Sequence, residues 1–305
     1  MSERKFFALG TGSQAPTRTR NQNGYFLRWD EQGILFDPGE GTQRQMIYSG
    51  VSANSITKIF ISHFHGDHCL GLAGVLQRLS LDNVPHPVEV YFPAYGIDYF
   101  RHLSQASVYY GRAEIIAKPF DSPGVLFEND RFIISTLPLD HTVECWGFRL
   151  QEKDGVSFQT EKLEALGIKG PMVGQLKRAG QITLEDRTIS LEEVTVQKKG
   201  QIFSFVLDTR PCSNAIELAS NADMLLCEAT FLNEHEKEAR EYGHMTAAQA
   251  ATIADEAKAR LLLLTHFSQR YTNMDGYHSE TKPIFENVVC LNDGDIVEVP
   301  SRNKN

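Results

Sequence analysis

The chain has 305 residues, of which 41% are hydrophobic and 23% are charged, and its formal net charge at pH 7 is −9. This composition is ordinary for a globular protein that buries a substantial core, and the negative charge excludes a uniformly basic nucleic-acid-binding surface. The sequence has no apolar run near the roughly 20 residues that span a bilayer, and we expect neither a membrane segment nor a signal peptide.

The cysteines and the charges add two expectations. The five cysteines are scattered and never form a CxxC pair, which predicts reduced thiols and a cytoplasmic location. Acidic residues are absent from residues 4–29, which contain five basic residues, and from residues 165–184, which contain three. Either interval alone could arise by chance, but together they favour a localised phosphate-binding surface.

Strand-like and helix-like segments alternate along the first half of the chain. KFFAL, GYFLRW and GILFD have the composition of strands, and DEQG is typical of a hairpin turn between the last two. GTQRQMIYSG predicts a short amphipathic helix that ends at Gly50. Next come a buried strand ITKIFIS, a helix CLGLAGVLQRLSL, a strand PVEVYF and a helix YGIDYFRHLSQ.

The second half continues the alternation. Strands are predicted at 131–137, at 145–150 and in the apolar runs QIFSFVLD, ADMLLCEA and RLLLLTH, with helices at about 213–220 and 246–259. This order predicts one layered α/β domain over residues 1–305.

Residues 151 to about 195 interrupt this pattern. They contain GIKGPMVGQLKRAGQ, which is rich in glycine and lysine and poor in aromatic residues. We expect an insertion that projects from the body of the domain. The alternative is a disordered surface loop, although long loops are uncommon unless they are functional or mobile.

Four candidate metal ligands follow the predicted strand ITKIFIS. In HFHGDH, His63, His65 and Asp67 occupy alternate positions and His68 follows directly, while Gly66 permits a backbone turn. Imidazole and carboxylate groups suit Zn²⁺ or a similar metal, and four ligands in six residues can help to bind two ions. A solvated histidine-rich loop is the alternative, but apolar segments on both sides favour a position at the edge of the core.

Three more polar residues occur at the ends of apolar runs. His141 follows RFIISTL, Asp208 ends FSFVLD, and His266 ends LLLLTH. Each alone would be an ordinary edge residue. Because α/β folds usually place their sites at the carboxyl ends of strands, we expect the three to join the HFHGDH segment in one site.

HFHGDH resembles the HxHxDH signature of the metallo-β-lactamase superfamily, and the three later residues are similar to its later motifs. Five segments narrow the resemblance to the bacterial ribonuclease Z family, the endonucleases that remove the 3′ trailer from precursor tRNA: LGTGSQAPTRTRNQNGYFL, DTRP, CEATF, GHMTAAQA and GIKGPMVGQLKRAG. This resemblance covers essentially the whole chain. It implies an αββα sandwich with a protruding flexible arm, and a phosphodiesterase that leaves a 3′-hydroxyl on the tRNA.

The same resemblance implies two zinc ions per subunit. The first ion would be bound by His63, His65 and His141, the second by Asp67, His68 and His266, and Asp208 would bridge both. Two adjacent metal ions can activate water at neutral pH and hold the attacking and leaving oxygens of an in-line displacement. Asp67 is implied to act as the general base as well.

Two further catalytic residues are implied outside the ligand set. His244 in GHMT would lie beside the scissile phosphate and stabilise charge or protonate the leaving 3′ oxygen, and Glu228 in CEATF would orient it. The alternatives are a helix N-terminal role for His244, with Thr246 as the N-cap, and a structural role for Glu228. Met245 stands where the family more often has a small polar residue.

The remaining implied residues serve substrate binding and assembly. Arg18 and Arg20 in PTRTRN would contact the 3′ end of the tRNA, since guanidinium groups bind phosphate through paired hydrogen bonds. The arm residues Lys169, Lys177 and Arg178 would grip the tRNA elbow by its shape and phosphates. The family resemblance also implies a homodimer in which the arm of one subunit serves a substrate that the other cleaves.

Two other functions compete with this interpretation. A small-molecule phosphodiesterase or arylsulfatase of the same fold would use the same metals without needing the arm. A metal-binding RNA-interaction protein without catalysis is the other alternative. All seven ligand positions are filled in this sequence, which favours an enzyme.

Overall fold

Two seven-stranded β-sheets pack face to face in the computed structural model of the chain, which describes residues 3–184 and 187–302. The strands are β1 (Arg4–Gly10), β2 (Gly24–Trp29), β3 (Gln32–Phe36), β4 (Lys58–Phe60), β5 (Val88–Pro93), β6 (Ile115–Phe120), β7 (Gly124–Glu128), β8 (Phe132–Leu139), β9 (Cys145–Glu152), β10 (Gly155–Phe158), β11 (Gln181–Leu184), β12 (Arg187–Ser190), β13 (Thr195–Lys198), β14 (Ile202–Val206), β15 (Met224–Glu228), β16 (Leu262–Thr265), β17 (Val288–Cys290) and β18 (Ile296–Glu298). The first sheet has the order β18-β1-β2-β3-β4-β5-β6, and the second has the order β17-β16-β15-β14-β9-β8-β7.

Helices cover the outer faces of both sheets. The α-helices are α1 (Thr42–Tyr48), α2 (Gly66–Cys69), α3 (Leu72–Leu81), α4 (Ile97–Ser104), α5 (Thr160–Ala165), α6 (Pro171–Ala179), α7 (Ser213–Ala219), α8 (Glu236–Tyr242), α9 (Ala247–Glu256) and α10 (Asp275–Thr281). Short 3₁₀ turns occur at Ala53–Ser55, Ala94–Gly96, Glu192–Val194 and Asn233–His235. Apolar residues of α1, α3 and α4 pack on the first sheet, and those of α7, α9 and α10 pack on the second. The expected αββα sandwich is confirmed. Among the described residues, no helix has the length and the apolar content that crossing a membrane requires.

Aromatic side chains fill the space between the two sheets. Phe36 of the first sheet stacks on Phe205 of the second, with ring centroids 4.8 Å apart. Phe60 stacks on Tyr91 at 4.6 Å, and its edge meets Phe148 across the sandwich at 5.0 Å. Each such pair contributes roughly 0.5–1.5 kcal/mol beyond its buried area. This core fixes the strands whose ends carry the polar residues of interest.

The direction of the strands brings those ends together. β14, β15 and β16 are mutually parallel, as are β3 and β4, so that within each set the carboxyl ends lie on one edge of the sheet. β4 is shorter than the predicted ITKIFIS strand: the backbone N–H of Ser62 donates to the side chain of Asp37 rather than to a neighbouring strand. The chain is therefore free to turn at the HFHGDH segment.

The predicted insertion is a small folded unit with its own apolar cluster. β10 pairs with β13, β11 pairs with β12, and α5 and α6 lie between β10 and β11 in sequence. The buried members of the cluster are Leu163, Ile168, Leu176, Ile182, Ile189 and Val194. Residues 185 and 186 of the predicted insertion lie outside the described part of the chain. Since β13 closes the unit, we propose that the arm extends to Lys198, three residues beyond the predicted boundary.

Candidate metal centre

The first group of candidate ligands combines three histidines and one aspartate. The Nδ1 atom of His65 lies 3.0 Å from Nε2 of His63 and 3.2 Å from Nε2 of His141. Oδ2 of Asp208 lies 3.7 Å from the Nε2 atoms of His63 and His141. Four side chains from three separate segments thus present one ligand atom each to a common point, close enough for a single ion.

A second group lies directly beside the first. Oδ2 of Asp67 is 3.4 Å from Nε2 of His68 and 3.5 Å from Nε2 of His266. Asp208 belongs here too, because its Oδ2 lies 3.3 Å from His68 Nε2 and its Oδ1 lies 3.2 Å from His266 Nε2. The two oxygens of one carboxylate therefore face both groups, which is the arrangement of a bridging ligand. The structure brings all seven expected ligands together.

The chemistry of these atoms fits a metal cation. Oδ1 of Asp208 and Nε2 of His266 are buried without a hydrogen-bond partner, a costly condition that a cation between them would relieve. Burial alone would raise the pKa of Asp208, but His266 and His68 hold it well below its usual value. Burial would likewise lower the pKa of His68, but Asp208 and Asp67 raise it well above its usual value. The carboxylates thus stabilise positive charge in this pocket.

The outer nitrogens of the histidines are held by other groups. Nδ1 of His68 lies 2.8 Å from Oδ2 of Asp37, and Nδ1 of His63 lies 2.9 Å from the Ser62 hydroxyl. Nδ1 of His141 lies 2.8 Å from the carbonyl oxygen of Gly243. Partners of this kind fix the orientation of the ring and leave the other nitrogen for a metal.

Asp37 is a functional candidate that was not predicted from the sequence. Its carboxylate accepts hydrogen bonds from the backbone N–H and the hydroxyl of Ser62, at 2.7 and 2.6 Å. We therefore assign Asp37 the role of supporting the neighbouring ligands. Asp37 follows the apolar run of β3, and polar residues at the ends of apolar runs had already pointed to Asp208 and His266. Asp37, Asp208 and His266 also share positive φ values, of 43°, 50° and 61° respectively. Residues other than glycine rarely adopt this conformation, and those that do cluster at functional sites.

His244 and Glu228 form a pair at the edge of the centre. Nδ1 of His244 lies 3.0 Å from Oε1 of Glu228, which is fully buried. Burial alone would lower the pKa of His244, but Glu228 outweighs it and raises the pKa to about 9. His244 could also join Asp208 and His266 as a metal ligand, since suitable atoms of the three lie within 4.8 Å of one another.

Glu228 connects His244 to the rest of the site. Its carboxylate accepts hydrogen bonds from the Thr209 N–H at 2.7 Å, from the Thr230 hydroxyl at 2.7 Å and from the Met245 N–H at 3.2 Å. The Thr230 oxygen in turn lies 2.6 Å from Nδ1 of His266. Met245 contributes its backbone N–H to this network while its side chain is buried in the core, so its identity leaves the loop hydrogen bonds intact.

His244 lies in the short loop between α8 and α9 and is not part of either helix. Thr246 is the N-cap of α9, as the alternative interpretation of this segment predicted, and forms a capping box with Gln249. His244 precedes the cap and lines a cavity of about 770 Å³. This cavity also exposes His65, Asp67 and Asp208 to a substrate.

The expected substrate-binding residues differ in their surroundings. Arg18 is exposed. Arg20 is tied into the fold: one guanidinium nitrogen donates to Thr11 and to the Leu291 carbonyl, and the group lies 4.5 Å over the ring of Phe267. The structure therefore gives Arg20 the role of anchoring its loop. Contrary to the prediction from sequence, its side chain is not free to bind phosphate.

The other predicted basic residues also divide into two kinds. Arg4, in the first acid-free interval, is paired with Glu152 and Asp30, so this interval does not form one basic patch. Lys169, Lys177 and Arg178 are exposed on the arm, and none of them forms an ion pair with a residue of 3–184 or 187–302.

Arg210 of the DTRP segment ties three parts of the site together. Its Nη1 donates to Asp140 Oδ1 at 3.0 Å, beside His141. Its Nε donates to the Arg240 carbonyl at 2.6 Å, close to the loop that carries His244. Arg210 also lies two residues after Asp208. This side chain therefore positions segments that bear three of the candidate site residues.

We expect Arg210→Met to lower the rate of the reaction catalysed at this centre by about 10- to 100-fold, because supporting partners of a metal site contribute on this scale. Arg210→Lys should recover part of the loss, since an ammonium group can reach only some of these acceptors. Turnover and metal content should both be measured, with Arg101→Met as the control because Arg101 pairs with exposed Asp98, away from the candidate metal centre. A parental rate in Arg210→Met would exclude the positioning role.

Known protein families and relatives match this chain over most of its length. Residues 17–143 match the family model described as the metallo-β-lactamase superfamily, and residues 176–267 match a β-lactamase superfamily domain. A protein of Nocardia farcinica named ribonuclease Z is 50% identical over 304 residues, covering 99% of this chain and 100% of its own. One of Chlamydia trachomatis with the same name is 44% identical and covers 98% of this chain and 99% of its own.

A solved structure shows the same fold. Human tRNase Z, short form, is 26% identical, with a TM-score of 0.71, and the match covers 97% of this chain and 99% of the human chain. The superfamily match and the clustered histidines and aspartates indicate a metal cofactor. Because it is 44–50% identical to these relatives over nearly its whole length, the chain belongs to the ribonuclease Z family of the metallo-β-lactamase superfamily.

Proposed function

We propose that the chain is a zinc-dependent endoribonuclease that removes the 3′ trailer from precursor tRNA and leaves a 3′-hydroxyl on the tRNA. One observation carries the proposal: seven candidate ligand residues from distant segments converge beside His244 at a cavity open to substrate, in a chain 50% identical to a ribonuclease Z.

Two zinc ions would occupy the two ligand groups. His63, His65 and His141 would bind one ion, Asp67, His68 and His266 the other, and Asp208 both. Imidazole and carboxylate donors match the preference of zinc. When bound, such a pair of cations supplies Lewis-acid activation of water and neutralises charge on the phosphate.

Asp67 and His244 would transfer the protons of the reaction. The water oxygen forms a bond to phosphorus, the bond from phosphorus to the 3′ oxygen breaks, and the phosphate stays on the trailer. Asp67 would accept the proton of the attacking water, and its Oδ2 is held by the Gln14 N–H at 2.8 Å. His244, oriented by Glu228, would donate a proton to the leaving 3′ oxygen.

Substrate selection would rest on the exposed basic residues. Arg18 would contact the substrate near the cleavage site, and Lys169, Lys177 and Arg178 would bind phosphates of the folded tRNA away from it. A localised basic surface of this kind allows a chain with a net charge of −9 to bind RNA. We further propose a cytoplasmic homodimer, which sedimentation analysis showing only monomer would contradict.

The direct test is incubation of the purified protein with a precursor tRNA transcript, with the cut mapped to the nucleotide. We expect one cut at the junction with the trailer, a 3′-hydroxyl on the tRNA product, and loss of the reaction in a chelator that zinc reverses. Cleavage at scattered positions, or full activity in chelator, would overturn the proposal.

Neutralising the arm should separate RNA recognition from the chemistry. We expect the triple replacement of Lys169, Lys177 and Arg178 by Gln to weaken precursor tRNA binding by about 10- to 100-fold at moderate salt, since phosphate contacts dominate affinity. The folded core of the arm contains none of these side chains, so the unit should stay intact. Binding of precursor tRNA by the triple variant should also become less sensitive to salt.

The matched control replaces three exposed lysines outside the arm, Lys237, Lys258 and Lys282, by Gln. This control changes the net charge by the same amount and should leave tRNA affinity near the parental value. Equal losses in both triple variants would show that overall charge, and not the arm, governs binding.

A further inference from the structure

An exposed aromatic ring stands at the rim of the candidate active site. Tyr242 is the last residue of α8, lines the cavity and is 50% exposed. Its ring stacks against that of Phe231, with centroids 6.4 Å apart and planes inclined by 23°. Phe231 is buried and lines the same cavity, so it provides a fixed backing for the tyrosine.

A guanidinium group lies beside this aromatic pair. Cζ of Arg270 is 5.3 Å from the centroid of Phe231, and Arg270 lines the cavity too. Within the described part of the chain, Arg270 has no ion pair with an acidic residue. A planar cation next to aromatic rings, without an acid to neutralise it, is suited to a nucleobase and the phosphate attached to it.

The backbone under Tyr242 is held in place. The preceding carbonyls of Arg240 and Glu241 accept hydrogen bonds from Arg210. Gly243 follows with a φ of 80°, a conformation that favours glycine, and turns the chain into His244. A lone exposed tyrosine is common on protein surfaces and needs no function. Backbone hydrogen bonds and the contact with Phe231 hold this one at the same cavity as the candidate catalytic residues.

The position of the aromatic pair relative to His244 indicates which nucleotide the pair would contact. The ring centroids of Phe231 and His244 are 6.2 Å apart, and Tyr242 is separated from His244 by one residue. In the proposed function, on which this step rests, His244 serves the leaving 3′ oxygen. The nucleotide that carries this oxygen is the last one of the tRNA product.

We propose that Tyr242, backed by Phe231 and flanked by Arg270, is a stacking subsite for the base immediately 5′ of the scissile phosphate. Stacking on an aromatic ring accepts any base, because every base has a π-face. The subsite would hold the last nucleotide of the tRNA in place while the bond to its 3′ oxygen breaks, without selecting its identity.

The test combines a protein change with a substrate change. Cleavage by the parental protein, Tyr242→Ala and Tyr242→Phe should be measured on precursor tRNA with either a normal or an abasic nucleotide at the last tRNA position. On the normal substrate, Tyr242→Ala should lose about tenfold in kcat/KM, as expected for one base–aromatic stack, and Tyr242→Phe should lose little. The abasic nucleotide should cost the parental protein a similar factor and cost Tyr242→Ala almost nothing more.

Two controls make the result specific. Tyr110→Ala removes a tyrosine that is 86% exposed and outside the cavity, and it should behave as the parental protein. An abasic nucleotide placed within the trailer should cost the parental protein and Tyr242→Ala the same factor.

The outcomes separate this inference from the function beneath it. If the parental protein cuts the normal precursor at the junction but the losses from Tyr242→Ala and the abasic nucleotide multiply, the stacking subsite alone is overturned. A Tyr242→Phe variant as impaired as Tyr242→Ala would overturn it too. If the parental protein does not cut the precursor, the proposed function fails and the inference fails with it.

Discussion

Asp208→Asn is expected to lower the cleavage of precursor tRNA by roughly a thousandfold or more and to reduce the amount of metal bound. The carboxylate of Asp208 faces both ligand groups, because its Oδ2 lies near His141 and His68 and its Oδ1 lies near His266. One substitution therefore weakens both groups. Stabilisation of the transition state by bound metal is worth several kcal/mol, and each loss of about 1.4 kcal/mol lowers the rate about tenfold. No single histidine of the centre faces both groups in the same way.

The metal content of Asp208→Asn is the measurement that distinguishes a bridging ligand from a residue needed only for folding. Metal per subunit should be determined after dialysis against a fixed zinc concentration, together with the unfolding transition. Asp121→Asn, a change of the same chemistry at an exposed site, should keep the parental activity and metal content. If Asp208→Asn is folded and binds as much metal as the parent, Asp208 does not bridge two ions.

Much of the centre could be predicted from sequence because its ligands obey one local rule. His63, His141, Asp208 and His266 each follow an apolar run that becomes a strand, and the ends of these strands converge at the same edge of the sandwich. The rule needs no knowledge of distances. It also locates Asp37, although only the structure shows that Asp37 supports His68 and Ser62.

Other features depend on long-range contacts and could not be predicted. Arg20 lies in a basic stretch of sequence, but Leu291 and Phe267, more than 240 residues away, occupy its guanidinium. The arm has few apolar residues for its length, and its six buried ones are spread over α5, α6, the turn between these helices, β11, β12 and the 3₁₀ turn Glu192–Val194. Periodicity over a short window does not detect such a small cluster, so the sequence suggested a looser insertion.

The second large effect is expected at the pair formed by His244 and Glu228. His244→Ala should reduce cleavage by about 10²- to 10⁴-fold, the range for loss of a general acid, while the metal content stays at the parental value. The metal measurement matters because His244 lies close enough to Asp208 and His266 to be a ligand itself. A His244→Ala variant that loses metal would assign it to the centre and remove it as the proton donor.

Glu228→Gln should behave differently from His244→Ala, although the two side chains are in contact. Five hydrogen-bond donors point at the Glu228 carboxylate: one each from Thr209, Met245 and His244, and both the N–H and the hydroxyl of Thr230. The amide of a glutamine would turn N–H groups towards some of these donors, and each buried polar group left unpaired costs about 1–3 kcal/mol. We therefore expect a lower free energy of unfolding, slower cleavage and, through Thr209 and Thr230, weaker metal binding.

Comparison of the two variants decides what Glu228 does. The exposed Glu241→Gln provides the control for the chemical change and should match the parent in activity, stability and metal content. If Glu228 only orients His244, the double variant His244→Ala/Glu228→Gln should be as stable and bind metal as well as His244→Ala alone. If Glu228 also holds the segments that bear Asp208 and His266, the double variant should be less stable and bind metal more weakly. The hydrogen bonds to Thr209 and Thr230 favour the second result, because they reach the neighbours of both ligands.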